Sequence, residues 1–324
     1  MTRKPHRFLL LLPLLALPLL LMQCGWKQNP ADSMRKELMK RETALATADA
    51  EWEKKQAQAA RAGQRDIPLD RLESLGEMAL QSRDYETALV NFMEILKQNP
   101  ARHDLRYKVG VILFLTGQMD AAQKQLALVL MQRPEMLEAH EALGMVHLEE
   151  KKYPLALEEF QIVLNLDPRR TKARHLLGIA YLEAGQNQRA ISELTRALAQ
   201  EPGNLNSLTT LGQAYLQKND YTRALPPLKK AQALSPQDAK VHRYLGMALA
   251  GLKRYPEALE AFMKAGDEAQ AYNNLGVYYF KDGRYEEAAK CFQKAMDLRT
   301  TFYEEAKTNL QRALEKLQLA HNDS

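Results

Sequence analysis

The sequence predicts an all-α solenoid of about seven helix hairpins closed by a C-terminal helix, and three observations predict it. Glycines recur at Gly76, Gly110, Gly144, Gly178, Gly212, Gly246 and Gly276, spaced by 34 residues five times and then by 30. Twelve residues after each glycine stands an alanine: Ala88, Ala122, Ala156, Ala190, Ala224, Ala258 and Ala288. Four further on comes Phe92, Leu126, Phe160, Leu194, Leu228, Phe262 or Phe292. Five units then close on Pro100, Pro134, Pro168, Pro202 and Pro236. A unit this short has too little core of its own, so neighbours must stack to bury it, and stability becomes a sum of unit and neighbour terms.

The chain opens on Arg3, Lys4, His6 and Arg7, followed by a 15-residue apolar run from Phe8 to Met22, the pattern of an export signal. A membrane-spanning helix needs about 20 apolar residues. This run is shorter and carries Pro13 and Pro18, which makes an uncleaved anchor the weaker reading. Leu21-Met22-Gln23-Cys24 resembles the lipobox of bacterial lipoproteins, although Gln23 stands where that pattern usually has Gly, Ala or Ser. The resemblance implies a signal peptide over residues 1–23, lipidation of Cys24, and a chain anchored in the bacterial cell envelope with its repeats in the periplasm. Soluble export is the third reading. With Cys24 acylated, Cys291 has no partner within the chain. That excludes a disulfide framework and a cysteine metal site, and leaves Cys291 as a small buried residue beside Phe292.

A net charge of +5 suggests nucleic acid until it is divided along the chain. Residues 1–65 hold 12 Lys and Arg against 6 Asp and Glu, which leaves 33 against 34 for residues 66–324. The repeats therefore have no basic excess with which to neutralise phosphates. Residues 24–68 form a linker in which Leu38, Leu45, Trp52 and Ala59 are seven apart. Met34, Arg41, Ala48 and Lys55 are the companion positions and are mostly not apolar, which favours a charged stalk helix over a coiled-coil dimer.

Residues 69–302 divide into hairpins at 69–102, 103–136, 137–170, 171–204, 205–238, 239–268 and 269–302. Their Leu-Gly, Ala, Phe and Pro pattern resembles the tetratricopeptide repeat family, which implies a right-handed superhelix with a concave groove for peptides or partner helices. Packing logic agrees: Gly facing Ala lets two helices approach, the Phe or Leu fills space between neighbouring pairs, and each proline stops a helix. Gly117, Gly185, Asn219 and Gly283 tolerate positive φ in the turns within hairpins. Tyr85, Tyr153, Tyr221, Tyr255 and Tyr285 follow as packing residues, and Pro154 and Pro256 fit a first helical turn. Two departures stand out. Pro226-Pro227 should delay or kink the second helix of the fifth hairpin. The sixth unit is four residues short and lacks its proline, so residues 265–271 are expected to act as a joint. Residues 303–324 read as a capping helix, with Thr301 and Glu304 in capping-box spacing and Ala306, Leu310, Leu314 and Leu317 on one face.

A stalk and a cap leave no room for a catalytic domain. His140-Glu141 with His147 has seven residues between histidines where a zinc-protease helix has four, and no phosphate loop, dinucleotide fingerprint or nucleophile elbow occurs. No cofactor, metal or small-molecule substrate is expected. Groove-facing positions run from acidic (Asp70, Glu73, Glu77, Asp104, Glu138, Glu141, Glu149) through an apolar middle to a polar end. The apolar middle is Tyr107, Val111, Phe114, Met145, Leu148, Ile179, Leu182 and Leu216, and Lys240, Arg243, Gln270, Asn273 and Lys281 follow it. Apolar strips of several hundred Å² mark binding surfaces. A segment with apolar anchors and a basic end would fit. Glu73 and Glu77 carry the wrong charge for the carboxylate clamp of chaperone-binding family members. The whole is similar to repeat lipoproteins of the tight-adherence pilus and type IV pilus pilot kinds. It reads as a non-catalytic scaffold in assembly of a secretion, pilus or outer-membrane machine. The alternatives are an adaptor for cell-wall hydrolases or exopolysaccharide export, and a regulatory subunit or enzyme with a covert site.

Overall fold

The computed structural model describes residues 67–299 and 303–322; the leader, Cys24, the segment 33–62 and Thr301 lie outside them. Among the described residues there are fifteen helices and no strand. They pair as α1 (Leu69–Gln81) with α2 (Tyr85–Gln98), α3 (His103–Leu115) with α4 (Met119–Gln132), and α5 (Leu137–Glu149) with α6 (Tyr153–Leu166). Next come α7 (Thr171–Glu183) with α8 (Asn187–Gln200), α9 (Leu205–Gln217) with α10 (Tyr221–Leu234), and α11 (Ala239–Gly251) with α12 (Tyr255–Ala265). The series closes with α13 (Glu268–Lys281), α14 (Tyr285–Asp297) and α15 (Glu304–Asn322). Each of the first five second helices ends two residues before its proline, whose missing N–H and ring forbid continuation.

None of the substantial contacts between described helices joins elements more than two places apart, so the core is a chain of local clusters. First helices of successive hairpins approach one another closely from α3 through α13, whereas no two second helices come comparably close. The array therefore curves with its first helices on the inner side.

Within each hairpin the glycine makes room for the large side chain sixteen residues later. A Cβ at Gly76 would lie 2.5 Å from the ring of Phe92, one at Gly144 2.6 Å from Phe160, and one at Gly212 2.4 Å from Leu228. Carbon atoms in contact prefer about 3.5–4.0 Å, so any side chain here must displace a buried one. The Phe and Leu residues thus wedge the two helices of their own pair, and they also reach the next one: Phe160 shares a core cluster with Ala173, Leu177 and Ala180, and Leu228 with Leu245 and Ala248. Truncating such a fully buried ring costs about 3–5 kcal/mol.

All seven turns within hairpins contain one residue in the left-handed region. Four are the expected Gly117, Gly185, Asn219 and Gly283; the other three are Arg83, Lys151 and Lys253, at φ 63°, 59° and 60°. Pro226-Pro227 does not delay α10, which starts at Tyr221 behind an Asp220 cap. Those prolines leave the carbonyls of Thr222 and Arg223 without amide donors, and both residues are exposed to water.

At the expected joint, α12 is 11 residues long against 14 in the preceding second helices. One hydrophobic cluster nevertheless runs from Leu216 through Phe262 to Ala271 and Leu275. Tyr255 stacks on Tyr279 at 4.1 Å and donates to Asp282 Oδ2 at 2.8 Å. The shortened linker is spanned by packing. On α15, Ala306 and Ala313 are fully buried with Leu310 and Leu317 beside them, while Leu314 is 46% exposed. The buried face of the cap thus uses Ala313 in place of Leu314. Cys291 is half-buried, and burial pushes its thiol up to about 11.

Candidate functional site

The inner face is built by α3, α5, α7, α9 and α11, and the apolar candidate residues fall at their fifth, ninth and twelfth positions. On α3, Tyr107, Val111 and Phe114 are half-buried, as are Met145 and Leu148 on α5 and Ile179 on α7. Met145 and Leu148 rest on the core cluster of Phe160 and Leu177, which fixes the floor of the strip. Burial, with Glu138 and Glu141 nearby, raises the Tyr107 phenol above its ordinary range and keeps it a neutral donor.

Three expected groove residues are not on this surface. Leu182 and Leu216 are 2% and 7% exposed and belong to the clusters between hairpins. Asn273 is fully buried; its Nδ2 donates to Glu305 Oε1 at 3.0 Å and its Oδ1 accepts from Asn309 Nδ2 at 3.2 Å, so α15 covers it. Lys240 and Arg243 are exposed and flank the Tyr244 ring at 5.8 and 5.6 Å.

The acidic end is also changed. Arg102 makes a bidentate pair with Glu73 at 2.8 and 2.7 Å and also holds Asp104 at 2.7 Å, which keeps both carboxyls below the usual range. Lys108 pairs with Glu77. Two repeats on from Arg102, Arg170 holds Glu141 at 2.8 Å and Glu138 at 3.0 Å, with Lys172 on Glu141 at 2.9 Å. Glu141 is 1% exposed, so these partners are what make its burial tolerable. Most of the acidic face is therefore neutralised from within. The signal was present in the sequence as a Glu followed 29 residues later by Arg, at 73 and 102 and again at 141 and 170.

Two inner-face residues were missed by sequence reasoning. His175 exchanges a 3.1 Å hydrogen bond with Ser207, and burial, with Lys240 nearby, lowers its pKa. Tyr244 stands beside the two basic residues, its phenol raised by burial. Together they continue the strip toward Lys240 and Arg243 as a polar-tipped wall. His140 is held by Glu159 at 2.6 Å and Pro134 O at 2.9 Å, and among the described residues no three His, Cys, Asp or Glu side chains are grouped so as to hold a metal ion.

Three family models described as Tetratricopeptide repeat match the chain, over residues 79–145, over 175–239 and 209–267, and over 269–302. No curated protein matches it. Among solved structures, a tetratricopeptide repeat protein from Parabacteroides merdae is 15% identical with a TM-score of 0.57, covering 76% of this chain and 98% of its own. PilF of Pseudomonas aeruginosa is 20% identical at 0.52, covering 66% of this chain and 97% of its own. The APC/C hetero-tetramer Cut9–Hcn1 is 16% identical at 0.57, covering 80% of this chain and 51% of its own. Likeness at these identities is likeness of fold: a stack of helix hairpins. The chain belongs to the tetratricopeptide repeat family.

Proposed function

We propose that this protein is a non-catalytic scaffold of the bacterial cell envelope that holds segments of partner proteins against its inner face. The observation that carries the reading is the strip from Tyr107 and Phe114 through Met145 and Leu148 to Ile179, half-buried side chains on one curved surface. Repeat arrays of this family present such surfaces to peptides and helices, and apolar anchors entering them supply most of the binding free energy. Because Arg102, Lys108 and Arg170 neutralise the acidic end, a basic end on the ligand has less to recognise than the sequence suggested. Lys240 and Arg243 instead favour an acidic residue at the other end.

Phe114→Asp combined with Ile179→Asp places two charges in the strip at half-buried residues. Far-ultraviolet circular dichroism should be unchanged, while proteins retained from solubilised envelopes by the parent are lost. Retention of the same proteins by the variant would move the binding surface elsewhere.

Placement in the envelope, and a part in assembling a secretion, pilus or outer-membrane machine, rest on the export leader, Cys24 and the repeat architecture. Labelled palmitate should enter the parent chain and not Cys24→Ala; equal incorporation in both removes the lipid anchor from the account.

A further inference from the structure

Four hairpins carry a cation or histidine at the fourth position of the first helix, and each reaches back to the proline carbonyl that closes the hairpin before it. Arg106 Nη2 donates to Pro100 O at 3.1 Å, His140 Nε2 to Pro134 O at 2.9 Å, Arg174 Nη2 to Pro168 O at 2.8 Å and His242 Nε2 to Pro236 O at 2.8 Å. The other arm of the first three lands on the second helix of its own hairpin, 19 residues later. Arg106 meets Gln125 Oε1 at 2.9 Å, His140 meets Glu159 Oε2 at 2.6 Å and Arg174 meets Glu193 Oε2 at 2.9 Å. In the sixth hairpin that position is Ala261, which has no acceptor to offer.

His242 is 2% exposed, and its Nδ1 is buried without a hydrogen-bond partner. A carbonyl can only accept, so Nε2 must carry the proton that reaches Pro236. Nδ1 is then an orphan, and buried polar groups are seldom left so. His242 also lines a cleft of about 430 Å³ walled by Lys229 and Gln232 of α10 and Lys264 of α12. The nearby carboxylates are spoken for or easily displaced. Glu257 is held by Arg254 at 2.7 Å, and Glu260 pairs with Lys264 at 2.6 Å with both side chains more than half exposed. Exposed pairs of that kind are weak and exchange readily.

We propose that this cleft binds an oxyanion, a single carboxylate or phosphate group, in the place that Glu159 takes beside His140. A proton enters on Nδ1 with the anion, Nδ1–H donates to one of its oxygens, and Lys229 and Lys264 balance its charge. The site depends on neither the inner-face strip nor the membrane anchor.

The test is nuclear magnetic resonance of the full chain with ¹³C-labelled histidine, titrated at constant ionic strength with inorganic phosphate and, separately, with acetate. The resonance that disappears in His242→Gln should move saturably toward its imidazolium position. A response to phosphate alone identifies a phosphoryl ligand and a response to acetate a carboxylate. Lys229→Met with Lys264→Met should weaken the affinity by about tenfold or more, the loss of charge-assisted contacts. Ala261→Glu should restore the internal acceptor, shift the same resonance without added anion, and abolish the titration. A resonance that ignores both anions, an unchanged affinity in the double lysine variant, or an undiminished titration in Ala261→Glu overturns the proposal.

Discussion

His140 sits between two acceptors, Glu159 Oε2 and Pro134 O, which together favour its doubly protonated form; the Glu159 hydrogen bond raises its pKa above the ordinary histidine value. His147, in the same helix, has its pKa lowered by burial. A raised folded pKa contributes stability that is complete below the unfolded value of about 6.5 and fades as pH rises through the folded value; a lowered one does the reverse. The urea midpoint lost on His140→Gln should therefore be larger at about pH 6 than at about pH 9. An equal loss at both would mean that the imidazolium pair adds nothing to the fold. At this scale the glycines and their wedges were legible, because a 34-residue register repeats the same steric demand. Which inner-face side chains stay exposed was less so. Leu182 and Leu216 share a register position with Phe114 and Leu148, yet the neighbouring hairpins cover them, and Asn273 is claimed by a helix outside its own repeat.

Between helices, the turns show what residue type conceals. Gly117, Gly185, Asn219 and Gly283 announce positive φ by their chemistry, whereas Arg83, Lys151 and Lys253 adopt it only because the register requires it. An L residue with a Cβ in that region costs about 1–2 kcal/mol, and glycine returns part of this to a more flexible unfolded chain. Lys151→Gly should therefore stabilise the protein by about 0.5–1 kcal/mol in urea unfolding. A loss of stability would show that the Lys151 turn is held by contacts rather than strained. The same register explains the short sixth unit. Removing residues from α12 leaves its buried positions Ala258, Ala261 and Phe262 in place, so the core passes through where the sequence suggested a joint. Pro226 and Pro227 are accommodated because the carbonyls they deprive of donors lie on an exposed turn.

For the repeat array as a whole, the decisive property is that every substantial contact is local: each hairpin supports its neighbours and nothing bridges distant ones. That arrangement leaves the inner face open along several hairpins and gives the family its use as a binding surface. It was legible in the sequence because the period itself encodes nearest-neighbour stacking. The internal neutralisation of the acidic face was harder to see, since Arg102 and Arg170 stand at the far ends of the repeats whose first helices they serve, and Lys108 and Lys172 come from the following repeat.

Hydrogen exchange on Phe160→Ala tests this directly, because Phe160 is fully buried in the third hairpin and its loss should cost about 3–5 kcal/mol. Protection should fall in α5 and α6 and in the helices packed on them, while α11 to α15 keep the exchange rates of the parent. A uniform loss of protection from α1 to α15 would mean a single cooperative core and would contradict the stacked-hairpin account.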